Sequence, residues 1–388
     1  MKHNSRNIWV IYPFTPNAIG EDDDYVIKSN SSNAFIVSLR KLHESSSRLI
    51  KAIFMTEKLN SYEVDENGII FRFLPVSFNP YRGSAGFGRQ WSFKLLSELT
   101  QEKPELVFLF IGGGWFAIFL ALVCHLLKVP YCPIIAGWGT STRRSQKWYY
   151  RNALHVIVHT NAHKETFNKV GVNTSNFLVV SMGVDTDLFS LKPTGDFLKI
   201  DRPIRFVHAG RIEPRKNLLG ALRIFQLVRR SYPDSYFDIV GPGSNVDYYQ
   251  QVLSFIQVNG LADRVILRGF VPNDKMPEIY AKADLMLFPT LSESFGFVIA
   301  ESMACGTPVA ALSGRGSPDE IIEDGVDGLL AIEEEGLAES ILRLLAEPKK
   351  IEIMGRMARH KVESLYSADR TYSQVLGLLR EAESKNNR

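Results

Sequence analysis

Short apolar runs recur along this chain with room for one helix between most neighbours, and no other feature limits the fold so tightly. Ile8 to Tyr12, Leu49 to Met55, Ile69 to Leu74, Leu106 to Ile111, Tyr131 to Ile135 and Val156 to His159 read as strands. Helices are expected at Ala34 to His43, with Asn33 at the N-cap position, at Trp91 to Thr100 and at Trp115 to Leu127. A long polar loop through Glu21, Asp22, Asp23 and Asp24 to Asn33 follows the first strand. Such alternation implies a mostly parallel sheet covered by helices, with ligands beyond the carboxyl ends of the strands.

The same alternation starts again after a cluster of turn formers between Lys192 and Asp201, which includes Pro193, Thr194, Gly195 and Asp196. Strands are expected at Ile204 to Ala209, Tyr236 to Val240, Val265 to Leu267, Leu285 to Pro289 and Pro308 to Leu312. Helices are expected at Leu218 to Arg230, Val246 to Asn259, Lys275 to Ala283, Phe297 to Ala304, Leu337 to Ala346 and Ala368 to Ser384, with a turn at Asp324 to Gly328. A chain of 388 residues has the length for two such domains, divided here as residues 1–198 and 199–370, with a terminal helix at 371–388.

Charge and cysteine content exclude several functions. Lys plus Arg number 45 against 42 Asp plus Glu, so the net charge of +3 points to no nucleic-acid partner. Cys124, Cys132 and Cys305 follow no metal-ligand or disulfide spacing, which argues for a reducing compartment. The N-terminal apolar run is too short for a signal peptide and is broken by Pro13, so a cytoplasmic protein is expected. Leu106 to Leu127 has the length and apolarity of a membrane span, but Gly112, Gly113 and Gly114 divide it. The halves suit a buried strand and a core helix, and His125 would be costly inside a bilayer.

The chemistry concentrates in two stretches of the second half. In Pro289 to Ala310, a strand ends in a polar loop that becomes a helix at Gly296, and Glu293 and Glu301 stand eight residues apart around it. Gly296 lets a ligand approach the backbone, and the first N–H groups of the helix can face an anion. In His208 to Asn217 (HAGRIEPRKN), Arg211 and Lys216 fall between a strand and a helix, two cations beside free N–H groups, which suits a diphosphate.

Together, ESFGFVIAESMACGTPVA and GR-x-x-x-x-KN resemble the retaining GT-B glycosyltransferases, specifically their large fourth family with its E-x7-E motif. The resemblance is specific over about Val156 to Leu330 and rests on fold pattern alone before that. It implies a GT-B fold: two Rossmann-like domains facing across a cleft, the final helix crossing back to the first. It implies a nucleotide diphosphate sugar as co-substrate, no other cofactor, and an acceptor hydroxyl on a glycan, a lipid-linked or a small molecule. Carried over by position, Gly210, Arg211 and Lys216 hold the diphosphate. Glu293 with Phe295, Gly296, Phe297 and Val298 meets the donor sugar, Glu301 the ribose, and Phe270 follows the strand whose backbone reads the base. Arg211, Lys216 and Glu293 are the catalytic set. Arg215 lies off the motif and is expected at the surface.

Gly183 to Phe189 (GVDTDLF) resembles the signature that precedes the second domain. Its Asp185 and Asp187 suit either a metal ion or a turn; the turn is preferred because Arg211 and Lys216 already meet the phosphate charge, so no metal is expected. Gly241 to Gly243 suit either the border of the nucleotide or a plain turn. In GSPDEII, Glu320 is a helix-capping residue first and a ligand residue second. The first domain departs from the family pattern: one glycine, Gly20, stands in the first loop, and AGWGTS replaces the usual histidine. Trp138, beside Gly139, suits a sugar face or a packed core equally well, and these three residues are the acceptor-side set. Arg143, Lys147 and Arg151 form a helical stripe that suits plain solvation, a peripheral contact with an anionic membrane, or a phosphorylated acceptor. Two other functions fit the same residues: nucleotide-sugar binding without transfer, and epimerase or hydrolase chemistry.

Overall fold

The structure, a computed structural model, describes residues 7–16, 22–31, 34–79, 90–110, 114–136, 143–190, 202–243 and 245–386. The chain divides into two compact units, Met1–Met182 with Ala368–Arg388, and Gly183–Ser367. The turn-rich cluster from Lys192 to Asp201, like Asn33, lies outside the described residues.

The first unit runs β1 (Asn7–Tyr12), α1 (Asp23–Ser31), α2 (Ala34–Ser46), β2 (Leu49–Thr56), β3 (Tyr62–Glu66), β4 (Ile69–Pro75), α3 (Phe93–Glu102), β5 (Leu106–Phe110), α4 (Trp115–Leu126), β6 (Tyr131–Ile134), α5 (Arg144–Arg151), β7 (Val156–Val158), α6 (Asn161–Lys169) and β8 (Phe177–Val179). Its eight strands are ordered β3-β4-β2-β1-β5-β6-β7-β8, parallel except for β3 against β4. β1 is central, Ile8 facing Ile50 on one side and Leu106 on the other, and all six of its residues are buried.

Three expectations change in this unit. The polar stretch after β1 is helical over α1: Val26 and Ile27 are buried, and Asp23 and Asp24 occupy the first turn, where carboxylates meet the positive helix end. The helix expected from Trp91 starts at Phe93, because the Ser92 hydroxyl caps it by accepting the Leu95 N–H at 3.3 Å, while Trp91 bridges to Phe78. β3 has too few apolar residues to be read as a strand and is an antiparallel edge. Leu106 to Leu127 resolves into β5 and α4; among the described residues no helix is long and apolar enough to cross a membrane.

The second unit runs β9 (Arg205–Ala209), α7 (Leu218–Arg229), β10 (Tyr236–Val240), α8 (Val246–Val258), β11 (Val265–Gly269), α9 (Met276–Lys282), β12 (Leu285–Phe288), α10 (Phe297–Ala304), β13 (Val309–Leu312), α11 (Pro318–Ile321), β14 (Gly328–Ala331), α12 (Glu334–Leu345) and α13 (Pro348–Leu365). Its six strands are all parallel, ordered β11-β10-β9-β12-β13-β14. Phe206, Phe225, Phe237, Ile239 and Leu287 meet in its core. α13 was not among the helices expected from the sequence, although Ile351, Met354, Ala358 and Val362 recur at helical spacing along its buried side. The last helix, α14 (Ala368–Asn386), belongs to the first unit, where it packs on α2, with Lys41 to Asp369 at 2.6 Å, and Arg48, in the turn after α2, reaches Glu383 at 2.6 Å.

Candidate functional site

In the second sheet the chain moves outward from β9 through β10 to β11, then returns to the far side of β9 with β12. β9 and β12 therefore flank the point where strand order reverses, the place at which a parallel sheet leaves a crevice for ligands. The two stretches singled out from the sequence follow these two strands.

After β9 the chain passes Gly210 and Arg211 and makes one short turn, Pro214–Lys216. Asn217 then adopts a left-handed conformation (φ 51°) and caps α7, its side-chain oxygen accepting the Gly220 N–H at 3.2 Å. Its amide also donates to the Pro289 carbonyl at 3.0 Å, so one side chain joins this loop to the end of β12. Gly241, at the end of β10, has φ 139°, and a Cβ there would lie 1.9 Å from the Gly210 carbonyl oxygen. The Gly241–Gly243 loop thus packs directly against the segment carrying Arg211, and the Ile212 N–H donates to Pro242 O at 2.9 Å.

After β12 the loop is pinned from two sides. The Leu291 N–H donates to Arg215 O at 2.9 Å, and Glu293 donates its N–H to Arg315 O at 2.9 Å while accepting from Ser317 N–H at 3.0 Å. Gly296 starts α10 with φ 75°, and a Cβ there would lie 2.9 Å from Ile299 Cδ1 and 3.1 Å from Glu293 Cγ. Only glycine fits this turn without strain.

These constraints bring Lys216 and Glu293 together, 77 positions apart in sequence, as a largely buried ion pair between Lys216 Nζ and Glu293 Oε2. Nζ also lies 5.0 Å from the centre of the Phe288 ring. Burial lowers the Lys216 ammonium pKa, and the Glu293 carboxylate opposes that shift. Arg215 is not the plain surface residue expected: its guanidinium donates to Ser292 O at 2.9 Å and stands 3.6 Å from Glu293 Oε2. Arg211 remains 58% exposed, 3.7 Å from Glu213. Beneath the site His208 is fully buried, donating through Nδ1 to Leu287 O at 2.9 Å, and burial lowers its pKa to about 4, leaving it neutral.

Glu301 faces a different partner. The Tyr280 hydroxyl donates to its Oε2 at 3.0 Å, and burial pushes the carboxyl up to about 7 against the pull of that hydrogen bond. No sequence spacing pointed to Tyr280, which lies on α9. Phe295 is buried against Phe297 and Tyr366, so its ring belongs to the core, whereas Phe297 and Phe270 are exposed. Val298 is half-buried.

Asp185 forms a turn, its Oδ1 accepting the N–H groups of Asp187 at 3.1 Å and Leu188 at 3.2 Å. In the segment from Gly316 to Ile322, Asp319 gathers backbone N–H groups. It accepts from Gly314 at 2.9 Å and Arg315 at 3.2 Å, because α11 turns it back over that loop. Among the described residues no three His, Cys, Asp or Glu side chains are grouped as metal ligands. Arg143, Lys147 and Arg151 are exposed on and beside α5. Gly20, Trp138 and Gly139 lie outside the described residues.

Residues 195–361, which contain both loops, match the family described as glycosyl transferases group 1. Over that segment the chain carries this family's domain. Its relatives include a GDP-mannose-dependent alpha-(1-6)-phosphatidylinositol monomannoside mannosyltransferase of Mycolicibacterium smegmatis, 30% identical over 46% of this chain and 49% of the relative. A D-inositol 3-phosphate glycosyltransferase of Paenarthrobacter aurescens is 30% identical over 67% of this chain and 66% of the relative. The chain spans between about a third and two thirds of the length of the curated relatives it matches. Among solved structures, sucrose-phosphate synthase from Thermosynechococcus elongatus superposes with a TM-score of 0.74 at 18% identity, covering 98% of this chain and 99% of that one. Anabaena HepE in complex with UDP and glucose gives 0.72 at 19% identity, covering 97% and 99%. At these identities the chain shares their fold, GT-B, with two Rossmann-like domains.

Proposed function

We propose that this protein is a retaining glycosyltransferase that moves a sugar from a nucleoside diphosphate sugar to an acceptor hydroxyl, without a metal ion. One observation carries the reading: at the switch point of the second sheet, a buried lysine is paired with the glutamate that precedes a glycine-started helix. Lys216, exposed Arg211 and the first N–H groups of α10 supply positive charge where a diphosphate would depart. Such a site accelerates the reaction chiefly by stabilising the charge that develops in the transition state. Two cations already present meet the charge that a divalent ion would otherwise meet.

In this reading Glu293 accepts hydrogen bonds from donor-sugar hydroxyls and Glu301 from the ribose diol. Gly210 and Gly296 allow close approach of the backbone, the exposed Phe270 borders the base, and Phe295, Phe297 and Val298 line the sugar side through their backbone. The acceptor attacks on the face from which the diphosphate leaves, and a diphosphate oxygen takes its proton, so no side-chain nucleophile is required. The named relatives act on sugar- and inositol-bearing acceptors, which supports a glycan, a lipid-linked or a small-molecule hydroxyl. Three buried free cysteines support a reducing, cytoplasmic setting.

The test is mass spectrometry of released nucleoside diphosphate from a panel of nucleotide sugars, first without acceptor and then with a cell extract, each with and without EDTA. Release from one donor, insensitive to EDTA and abolished in Arg211→Ala and Glu293→Ala, is expected. Thermal stabilisation by a nucleoside diphosphate with no release from any donor would overturn transfer in favour of binding alone.

A further inference from the structure

Helix α4 packs between α3 and α5, and a cavity of about 290 Å³ opens along it, lined by Trp91, Trp115, Ile118, Phe119, Leu122 and Trp148. Two apolar stripes run along α4. Phe116, Ala117, Leu120, Ala121 and Cys124 are buried in the core. Trp115, Ile118, Phe119 and Leu122 recur at i, i+3, i+4 and i+7, and Leu126 continues their line. This second stripe meets water: Trp115 is 57% exposed and Leu126 72%, with Phe93 at the start of α3 63% exposed. A contiguous apolar face of this kind marks a surface that something else covers.

Charge indicates what covers it. Residues 106–164 contain six Lys or Arg and no Asp or Glu, in a chain that overall carries 45 against 42. On α5, Arg144, Lys147 and Arg151 are exposed beside Ser145 and Trp148, the two residues of that helix that border the cavity. A water-facing face of Trp, Leu and Phe with Arg144, Lys147 and Arg151 on the neighbouring helix matches the headgroup boundary of an anionic bilayer, where tryptophan is favoured and each Lys or Arg gains from lipid phosphates. Stable peripheral binding takes two such signals together, one apolar and one electrostatic.

We propose that this face docks the protein on an anionic lipid bilayer, with Trp115, Leu122 and Leu126 entering the headgroup boundary and Arg144, Lys147 and Arg151 meeting lipid phosphates. The proposal goes beyond glycosyl transfer and holds whichever reaction the second unit performs. The sequence displayed the cations but not this use of α4, because a helix apolar on all sides reads as core.

The experiment is co-sedimentation of the full chain with vesicles of phosphatidylcholine and with vesicles of phosphatidylcholine and phosphatidylglycerol in equal parts. Binding to the anionic vesicles is expected. The double variant Trp115→Ser, Leu126→Ser should weaken it about tenfold or more, and Lys147→Ala about fivefold. Circular dichroism of each variant should match the parent, since the altered side chains are exposed. Equal binding to neutral vesicles overturns the proposal, as does anionic binding that the double variant leaves intact. Absence of vesicle binding with a dimer that the double variant dissolves also overturns it, assigning the face to a second copy of the chain.

Discussion

The Glu301 carboxyl ties stability to pH in a direction opposite to that of most carboxylates. Glu301 is partly exposed as a residue, yet desolvation by the protein packed around its carboxyl group raises its pKa from 4.5 to about 7. The folded state therefore holds the proton more tightly than the unfolded chain does. The associated stability is fully present below pH 4.5 and is lost as pH rises through 7. Integrated over that window it amounts to as much as about 3 kcal/mol, at roughly 1.4 kcal/mol per pH unit. Glu301→Gln removes the titration while keeping an oxygen for the Tyr280 hydroxyl. Melting temperatures of the parent and the variant, taken side by side from pH 5 to pH 8, cancel the contribution of every other carboxylate. The parent should lose ground to the variant by on the order of 5 to 10 °C across that range, given roughly 2–4 °C per kcal/mol for a unit of this size. A difference that stays constant with pH refutes the argument. In the proposed donor complex, ribose hydroxyls donate to the carboxylate and favour its charged form, so nucleotide binding near pH 6 should release a proton. Calorimetry in buffers of different ionisation enthalpy reads that proton directly.

Three further outcomes are expected. Gly241→Ala places a methyl against Gly210 O at 1.9 Å in a backbone region that disfavours side chains; it should cost at least about 2 kcal/mol, and an unchanged melting temperature would contradict the packing described. Asn217→Ala removes the cap of α7 and the bond to Pro289 O; a loss of about 1–3 kcal/mol in thermal or urea unfolding is expected. Arg211→Ala should leave stability within about 0.5 kcal/mol because the side chain is exposed, yet lower turnover by about a hundredfold or more if it faces the departing diphosphate; full activity in the folded variant would remove that role.

Much of this architecture was legible because the signals are local. The periodicity of Phe297 to Ala304, the glycine ahead of it and the small-residue stop after it make one strand-loop-helix unit whatever surrounds them. The cation pair after β9 was visible on the same grounds. α1 was missed because its buried apolar content is two residues, Val26 and Ile27, in a polar stretch, whereas α13 was missed although its apolar residues keep a helical spacing. Arg215 shows a different limit: its guanidinium meets Ser292 O, a backbone atom that leaves no mark on composition.

The sequence alone determined two successive sets of alternating strands and helices, with one acidic and one basic loop at strand ends, since the repeats of 2 and 3.6 residues and the caps act within a few positions. The tertiary structure decided which loops meet. Nothing in either period says that β12 returns beside β9 rather than beyond β11, yet that order brings Lys216 to Glu293 across 77 residues. It likewise decided that Tyr280 closes over Glu301 and that one stripe of α4 faces outward. Burial and pairing are properties of the packed whole, and strand order is chosen by the sum of all the faces that must be covered at once.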